Sequence, residues 1–156
     1  MESKRQKEEQ LLHAFLEMSA YIRGNRILSR FSFNEIMICN LLYRRQSVGE
    51  QAATATEIVA WTKLLKSQVN HILTGMEEKG LISRTRSEHD KRIVYITLRE
   101  DALPLYLQEH EYVLQIMDLI YETMGSEKMQ TLIELVSQAT TIVDEFQRRS
   151  LWQFES

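Results

Sequence analysis

The residues best able to do chemistry in this chain fall in two short runs. In the first, Lys66, Ser67, Gln68, Asn70, His71 and Thr74 interleave with the apolar Val69, Ile72, Leu73 and Met76. Apolar positions at i, i+3, i+4 and i+7 mark one buried helix face, which leaves the polar residues on the solvent side. Short hydrogen-bonding side chains in the opening turns are what a reading helix offers to base edges in the major groove. Asn and Gln can pair with adenine through two bonds, and Ser or Thr can serve several bases. The plain alternative is an amphipathic helix whose polar face is merely wet.

In the second run, Arg84 and Arg86 precede a polar stretch, Ser87-Glu-His-Asp-Lys91, and Arg92 follows it. An arginine at the tip of a hairpin can enter an A·T-rich minor groove, where narrowing strengthens the negative potential. Asp90 lies two residues from Arg92, on the same face of an extended strand, and is expected to orient its guanidinium. The alternative is a surface ion pair worth about 0–1 kcal/mol.

These side chains need a helix pair and a hairpin to hold them. Thr54-Ala-Thr-Glu57 has the spacing of a capping box, in which hydroxyl and carboxylate each satisfy a backbone amide. A short helix follows through Ile58, Val59 and Trp61, with a break near Lys63-Leu64-Leu65. The second helix carries the polar run and closes at Gly80, where a left-handed residue has no Cβ penalty. Leu81–Arg86 and Arg92–Leu98 are β-rich runs joined by the polar turn. Residues 54–98 therefore read as a helix-turn-helix followed by a β-hairpin wing.

This stretch resembles the DNA-binding segment of the multiple-antibiotic-resistance-regulator (MarR) family of bacterial transcription factors. Met76-Glu-Glu-Lys-Gly-Leu-Ile-Ser-Arg84 and Asp90-Lys-Arg-Ile-Val-Tyr-Ile-Thr-Leu98 match two of its patterns in order and spacing. The resemblance implies that Arg92 is the minor-groove arginine, that Asp90 anchors it, and that residues 67–74 lie on the major-groove helix. Lys63, Leu65 and His71 depart from the residues usual there: a glycine, a capping Ser or Thr, and an arginine. At the next cap, Arg99 and Ala102 replace the usual Thr and Gly.

Length and composition agree with a protein of this kind. A chain of 156 residues with 44% apolar content suits a globular fold with a sizeable core. No run approaches the roughly 18 uninterrupted apolar residues of a membrane span. The charged start and the single cysteine, Cys39, lead us to expect a cytoplasmic protein without a disulfide framework. The net charge of −3 is unevenly placed. From Lys63 to Arg99 there are eight Lys/Arg and four Asp/Glu, or +4, leaving eleven and eighteen, or −7, for the remainder. A basic module on an acidic body suits local phosphate binding.

The rest of the chain is predicted to be helical. A first helix over 7–28 holds Leu11, Leu12, Phe15, Leu16, Met18, Tyr21 and Ile22 on more than one stripe, as if two faces were buried. Ser32-Phe-Asn-Glu35 is another capping-box spacing and starts the helix leading to the reading head. Asp101 is the expected cap of the next helix, placing Pro104 at its third residue. Gly125-Ser126 separates two long terminal helices. Their wide apolar stripes exceed what a small winged helix could cover, so an interface is expected.

The whole chain, 1–156, is therefore expected to be mainly α with a small β-hairpin wing. Residues 32–98 form the winged helix-turn-helix, and 7–28 and 101–148 are dimerisation helices. In the resemblance these helices interlock in a homodimer, which would bind double-stranded DNA at a pseudo-palindromic operator. A monomeric helical subdomain is the alternative. Relatives also bind small aromatic or amphipathic effectors between the two regions, which makes Phe15, Tyr43, Trp61 and Tyr106 candidate pocket residues. Core packing is the competing role for all four.

Other chemistry finds little support. The chain has no Gly-rich phosphate loop, Cys-x-x-Cys, His-Glu-x-x-His or Gly-x-Ser-x-Gly. No catalytic residue, cofactor or metal is expected. His110, between Glu109 and Glu111, cannot close a metal site with neighbours that point away from it on a helix. Cys39 sits in an apolar run and reads as a small buried hydrophobe rather than a redox trigger. The sequence thus predicts a ligand-responsive homodimeric repressor. A redox or metal sensor on the same fold, and a winged helix used for protein contact, are the alternatives.

Overall fold

Three capping boxes set where the first helices start. Ser32 and Glu35 exchange bonds at the head of α2 (Phe33–Ser47), with Ser32 N–H donating to Glu35 at 2.8 Å and Glu35 N–H to Ser32 at 3.3 Å. Thr54 and Glu57 do the same for α3 (Ala55–Thr62), at 2.7 and 3.3 Å. Ser3 and Gln6 do so for α1 (Lys4–Arg23), which therefore begins three residues before the expected Lys7. The computed structural model describes residues 3–24 and 30–154, with side chains as far as 149. Gly24 caps α1 just after Arg23, and the expected continuation to residue 28 lies outside the described residues.

The remaining elements are β1 (Ala53–Thr54), α4 (Lys66–Glu78), β2 (Ile82–Arg86), β3 (Val94–Leu98), α5 (Leu103–Met124) and α6 (Ser126–Phe154). The fold class is the expected one, mostly helical with a small antiparallel sheet, but the wing is more than a hairpin. β3 lies between β2 and β1, with Arg84 opposite Ile96, Arg86 opposite Val94, and Ala53 opposite Ile96 on its other edge. A two-residue strand has no period to read, so β1 is invisible in the sequence.

Two turns explain how the motif residues are held. Gly80 takes φ +72° after α4, while Leu81 N–H donates to Met76 C=O and Gly80 N–H to Glu77 C=O, both at 2.9 Å. That paired bonding is a Schellman stop, and it delivers the chain directly into β2. Between α3 and α4, Lys63 takes φ +58°, the left-handed region where a side chain carries a steric penalty.

The core is built from α2, α3, α4 and the sheet. Ile38, Cys39 and Leu42 meet Ile58, Val69, Leu73 and Met76, with Ile82, Ile96 and Leu98 beneath and Tyr106 of α5 completing the cluster. Gln46 fastens α2 to the sheet like an extra strand residue: its amide donates to Leu98 C=O at 3.2 Å, and its carbonyl accepts Leu98 N–H at 3.0 Å.

The chain divides within α5 into two units, residues 1–113 and 114–156. α1, in the first unit, holds no buried residue, so the two faces expected to be buried are exposed among the described residues. Leu11, Leu12, Phe15, Leu16, Met18 and Tyr21 are exposed on it. The same is true of α6 in the second unit, where Ile142, Val143 and Phe146 are exposed. Helix α5 begins at Leu103, so Pro104 is its second residue rather than its third. Asp101 therefore stands one residue before the cap position, and its two oxygens accept the Arg99 guanidinium at 2.9 and 2.6 Å. No described helix is long and apolar enough to cross a membrane.

Candidate nucleic-acid interface

Period-2 alternation places Ile82, Arg84 and Arg86 on one face of β2. The inner end of that face is buried at Ile82, and its outer end carries the two arginines past the edge of the core. Opposite them runs the polar side of α4. The result is a cleft of about 670 Å³ lined by Lys66 and Asn70 of α4 and by Arg84, Arg86 and Arg92 of the wing. Its floor includes Leu73 and Ile96, and Thr54–Thr56 at the start of α3 close one side. Four cations and an amide thus converge on one concave surface. The α3 residues were legible only as a cap, because their place beside the wing depends on the unforeseen β1–β3 pairing.

The predicted residues divide by what holds them. Lys66, Ser67, Asn70, His71, Arg86, Lys91 and Arg92 are exposed. Arg84 is tied down: its guanidinium lies 3.4 Å from Glu77 and 3.4 Å from the Thr74 hydroxyl. Thr74 in turn donates to Asn70 C=O at 2.9 Å, so its proton is committed to its own helix. Gln68 is partly committed as well, because its carbonyl accepts Leu65 N–H at 3.0 Å. That bond uses one of the two lone pairs of the carbonyl oxygen and ties the side chain to the start of its own helix.

Asp90 departs from expectation. Its carboxylate accepts the backbone N–H of Arg92 at 2.9 Å instead of holding the guanidinium. The two residues stand in the turn before β3, not within a strand, so the same-face argument does not apply to them. Asp90 C=O also accepts Ile93 N–H, and Ile93 C=O accepts Ser87 N–H, each at 2.9 Å. The Ser87 hydroxyl accepts the amides of His89 and Asp90 at 3.3 Å. Asp90 therefore shapes the wing tip, and Arg92 is presented by a fixed backbone with an exposed side chain.

Two acidic groups brace the module from behind. Glu35 is buried beneath Lys79, the C-cap of α4, whose ammonium lies 2.6 Å away. Burial alone would raise the Glu35 carboxyl, but the bonds from Lys79 and Ser32 outweigh it and leave it below its ordinary value. On α3, the Arg45 guanidinium at 2.9 Å and the Thr54 amide hold Glu57 at about 2. Burial, with the Glu35 charge adding to it, pushes the Cys39 thiol up to about 12. A thiol so rarely ionised is a packing group rather than a nucleophile.

The four aromatics expected to share a pocket do not form one set. Tyr43 and Tyr106 have ring centroids 5.3 Å apart, and His110 stacks on Tyr106 at 5.5 Å. The Tyr106 hydroxyl accepts from Asn40 at 3.1 Å and meets His110 Nδ1 at 3.3 Å. Phe15 and Trp61 are about half exposed and, among the described residues, make no ring contact with that cluster. Tyr43 also borders a small hollow of about 180 Å³ with Leu98, Arg99 and Leu103. Among the described residues, no group of three His, Cys, Asp or Glu is placed to hold a metal ion.

A family model described as transcriptional regulator SarA/Rot matches residues 27–104, half of the chain and all of the cleft. The chain belongs to the SarA/Rot transcriptional regulators, a MarR-type winged-helix family. It is 35% identical over 81 residues to the HTH-type transcriptional regulator FarR of Neisseria gonorrhoeae, covering 52% of this chain and 56% of FarR. The chain thus spans little more than half of that relative's length. The fold matches the transcriptional repressor CouR bound to a 23-mer DNA duplex, with TM-score 0.72 and 18% identity, over 90% of this chain and 99% of CouR. It also matches NadR in complex with 4-hydroxyphenylacetate, with TM-score 0.62 and 23% identity, over 89% and 93%. At these identities the two structures bear on fold alone.

Proposed function

We propose that this SarA/Rot member is a sequence-specific DNA-binding repressor that works as a homodimer in the cytoplasm and is released by a small aromatic or amphipathic ligand. The observation that carries the DNA reading is the cleft between α4 and the wing, where Lys66, Arg84, Arg86 and Arg92 converge beside Asn70. Phosphates attract such a surface without regard to sequence, and α4 and the wing tip supply the groups that would read bases and groove width. Residues 32–98 act as the reading head. Ser67, Asn70 and His71 face the major groove, and Arg92 faces the minor groove with its loop shaped by Asp90. Gln68 contributes through its amide, one lone pair of which is already held by the Leu65 N–H. Thr74 holds Arg84 in place instead of reading a base. Lys66, Arg86 and Lys91 meet phosphates.

The segments 7–28 and 101–148 are assigned to dimerisation because α1 and α6 each expose a long apolar face among the described residues. A two-fold pair presents two heads to half-sites about one helical turn apart. CouR, a repressor seen bound to a DNA duplex, and NadR, seen in complex with 4-hydroxyphenylacetate, make the same output and effector class the natural first tests. A ligand can release DNA only by binding one spacing of the heads more tightly than the other.

The decisive experiment is a mobility shift with the DNA upstream of this gene, repeated across salt and with aromatic acids. Retention at physiological salt is expected. Arg92→Ala should weaken it about 5- to 150-fold, in line with about 1–3 kcal/mol for a groove contact, while sedimentation still reports a dimer. Lys91→Ala should weaken binding less, and should lower the slope of log affinity against log salt by about one. Wild-type affinity in the Arg92→Ala variant would end the wing assignment.

A further inference from the structure

Leu65 has no structural employment. It stands at the N-cap of α4, with φ −66° and ψ 147°, where Ser, Thr, Asp or Asn would accept an amide of the first turn. Leucine has no acceptor, and no side-chain cap bond is made to the first turn. The reciprocal half of the cap is supplied from the other side by Gln68, whose carbonyl takes the Leu65 N–H at 3.0 Å. Nor does Leu65 belong to the core, since it is 69% exposed. A large apolar side chain thus projects from the first turn of the proposed reading helix, while its neighbour Lys66 lines the basic cleft.

Resting on the DNA reading above, we infer that Leu65 is a specificity-determining residue that packs against the 5-methyl group of thymine in the major groove. Of the groups on base edges there, only the thymine methyl is apolar, so it is the base feature an isobutyl side chain can recognise. Leucine cannot bond a phosphate, so its contribution depends on sequence and leaves the salt dependence alone. In this it differs from Lys66 beside it. A duplex seated on Lys66, Asn70 and Arg92 must pass the first turn of α4, which supplies the occupant for an otherwise unexplained apolar group.

The test starts by selecting duplexes from a random library with the full chain. Each thymine of a selected site is then replaced by deoxyuridine, which removes only the methyl group, and affinity is measured by fluorescence anisotropy. At one thymine or more, wild-type affinity should fall about fourfold, the value of one buried methyl-sized group. Leu65→Ser should bind methylated and unmethylated sites alike, with the same salt slope as wild type and an equal or higher Tm because serine restores the cap. Leu65→Met should keep the methyl dependence. If no thymine is sensitive, or if Leu65→Ser shows the same losses as wild type, the assignment to Leu65 is overturned and the DNA reading stands. If no duplex is enriched at all, the DNA reading itself fails and this inference falls with it.

Discussion

Helices α4 and α6 use the same sequence grammar and end in opposite circumstances. Each spaces apolar residues at helical intervals with polar residues between them. In α4, Val69, Leu73 and Met76 are at most 1% exposed, pressed against α2, α3 and the sheet. In α6, Ile142, Val143 and Phe146 are 67%, 55% and 69% exposed. Amphipathicity therefore says that a helix has a face to bury, not what buries it. The winged-helix region has a core of its own. α6, like α1 in the other unit, presents exposed apolar surface, which the proposed dimer would cover.

The sharpest way to break this contrast is to damage one residue of each kind. Ile38→Ala removes a fully buried side chain and should cost about 2–5 kcal/mol, read as a lower Tm at matched protein concentration. Ile142→Asp should leave the winged-helix core intact and instead shift sedimentation from dimer to monomer. If Ile142→Asp remained dimeric at micromolar concentration, α6 would not be the interface.

Smaller changes probe how the winged-helix region tolerates its own irregularities. Lys63 holds a left-handed conformation at the turn between α3 and α4. Lys63→Gly should raise stability by about 1 kcal/mol in chemical denaturation, since glycine has no Cβ to clash. A loss of stability would mean that contacts of the lysine side chain outweigh the strain.

The smallest effect concerns Glu57, which is held near 2 by the Arg45 guanidinium and the Thr54 amide against an ordinary 4.5. Its folded value is depressed, so its contribution is complete above 4.5 and is lost as pH falls towards 2. Glu57→Gln should lower the Tm at neutral pH and converge with wild type at the acid end. The difference should be no more than about 1 kcal/mol, because the pair lies at the surface. A difference that persisted unchanged near pH 2 would assign the effect to the cap geometry rather than the charge.

Several of these features were legible in the sequence because they are local. The capping boxes at Ser32 and Thr54, the stop at Gly80 and the break after Met124 each rest on residues within a few positions of one another. The arginines at 84, 86 and 92 were legible as a basic wing for the same reason. Ser3 and Gln6 form a further box whose Ser-x-x-Gln spacing was open to the same reading, yet α1 was expected to start three residues later.

What the tertiary structure alone decided depends on which distant partner each group meets. Nothing local pairs Ala53 with Ile96, and that pairing brings the start of α3 against the wing. The carboxylate of Asp90 had two candidate donors on Arg92, the guanidinium and the amide. The turn brings the amide within reach, and a short side chain bonds the nearest backbone at little entropic cost. Thr74 and Arg84 are ten residues apart and were read as separate contacts. The Schellman stop folds β2 back along α4 and joins them. Residue type and spacing fixed which elements form and what charge they carry. Packing decided which of their polar groups remain free to meet another molecule, because a donor or acceptor satisfied inside the fold has less to offer outside it.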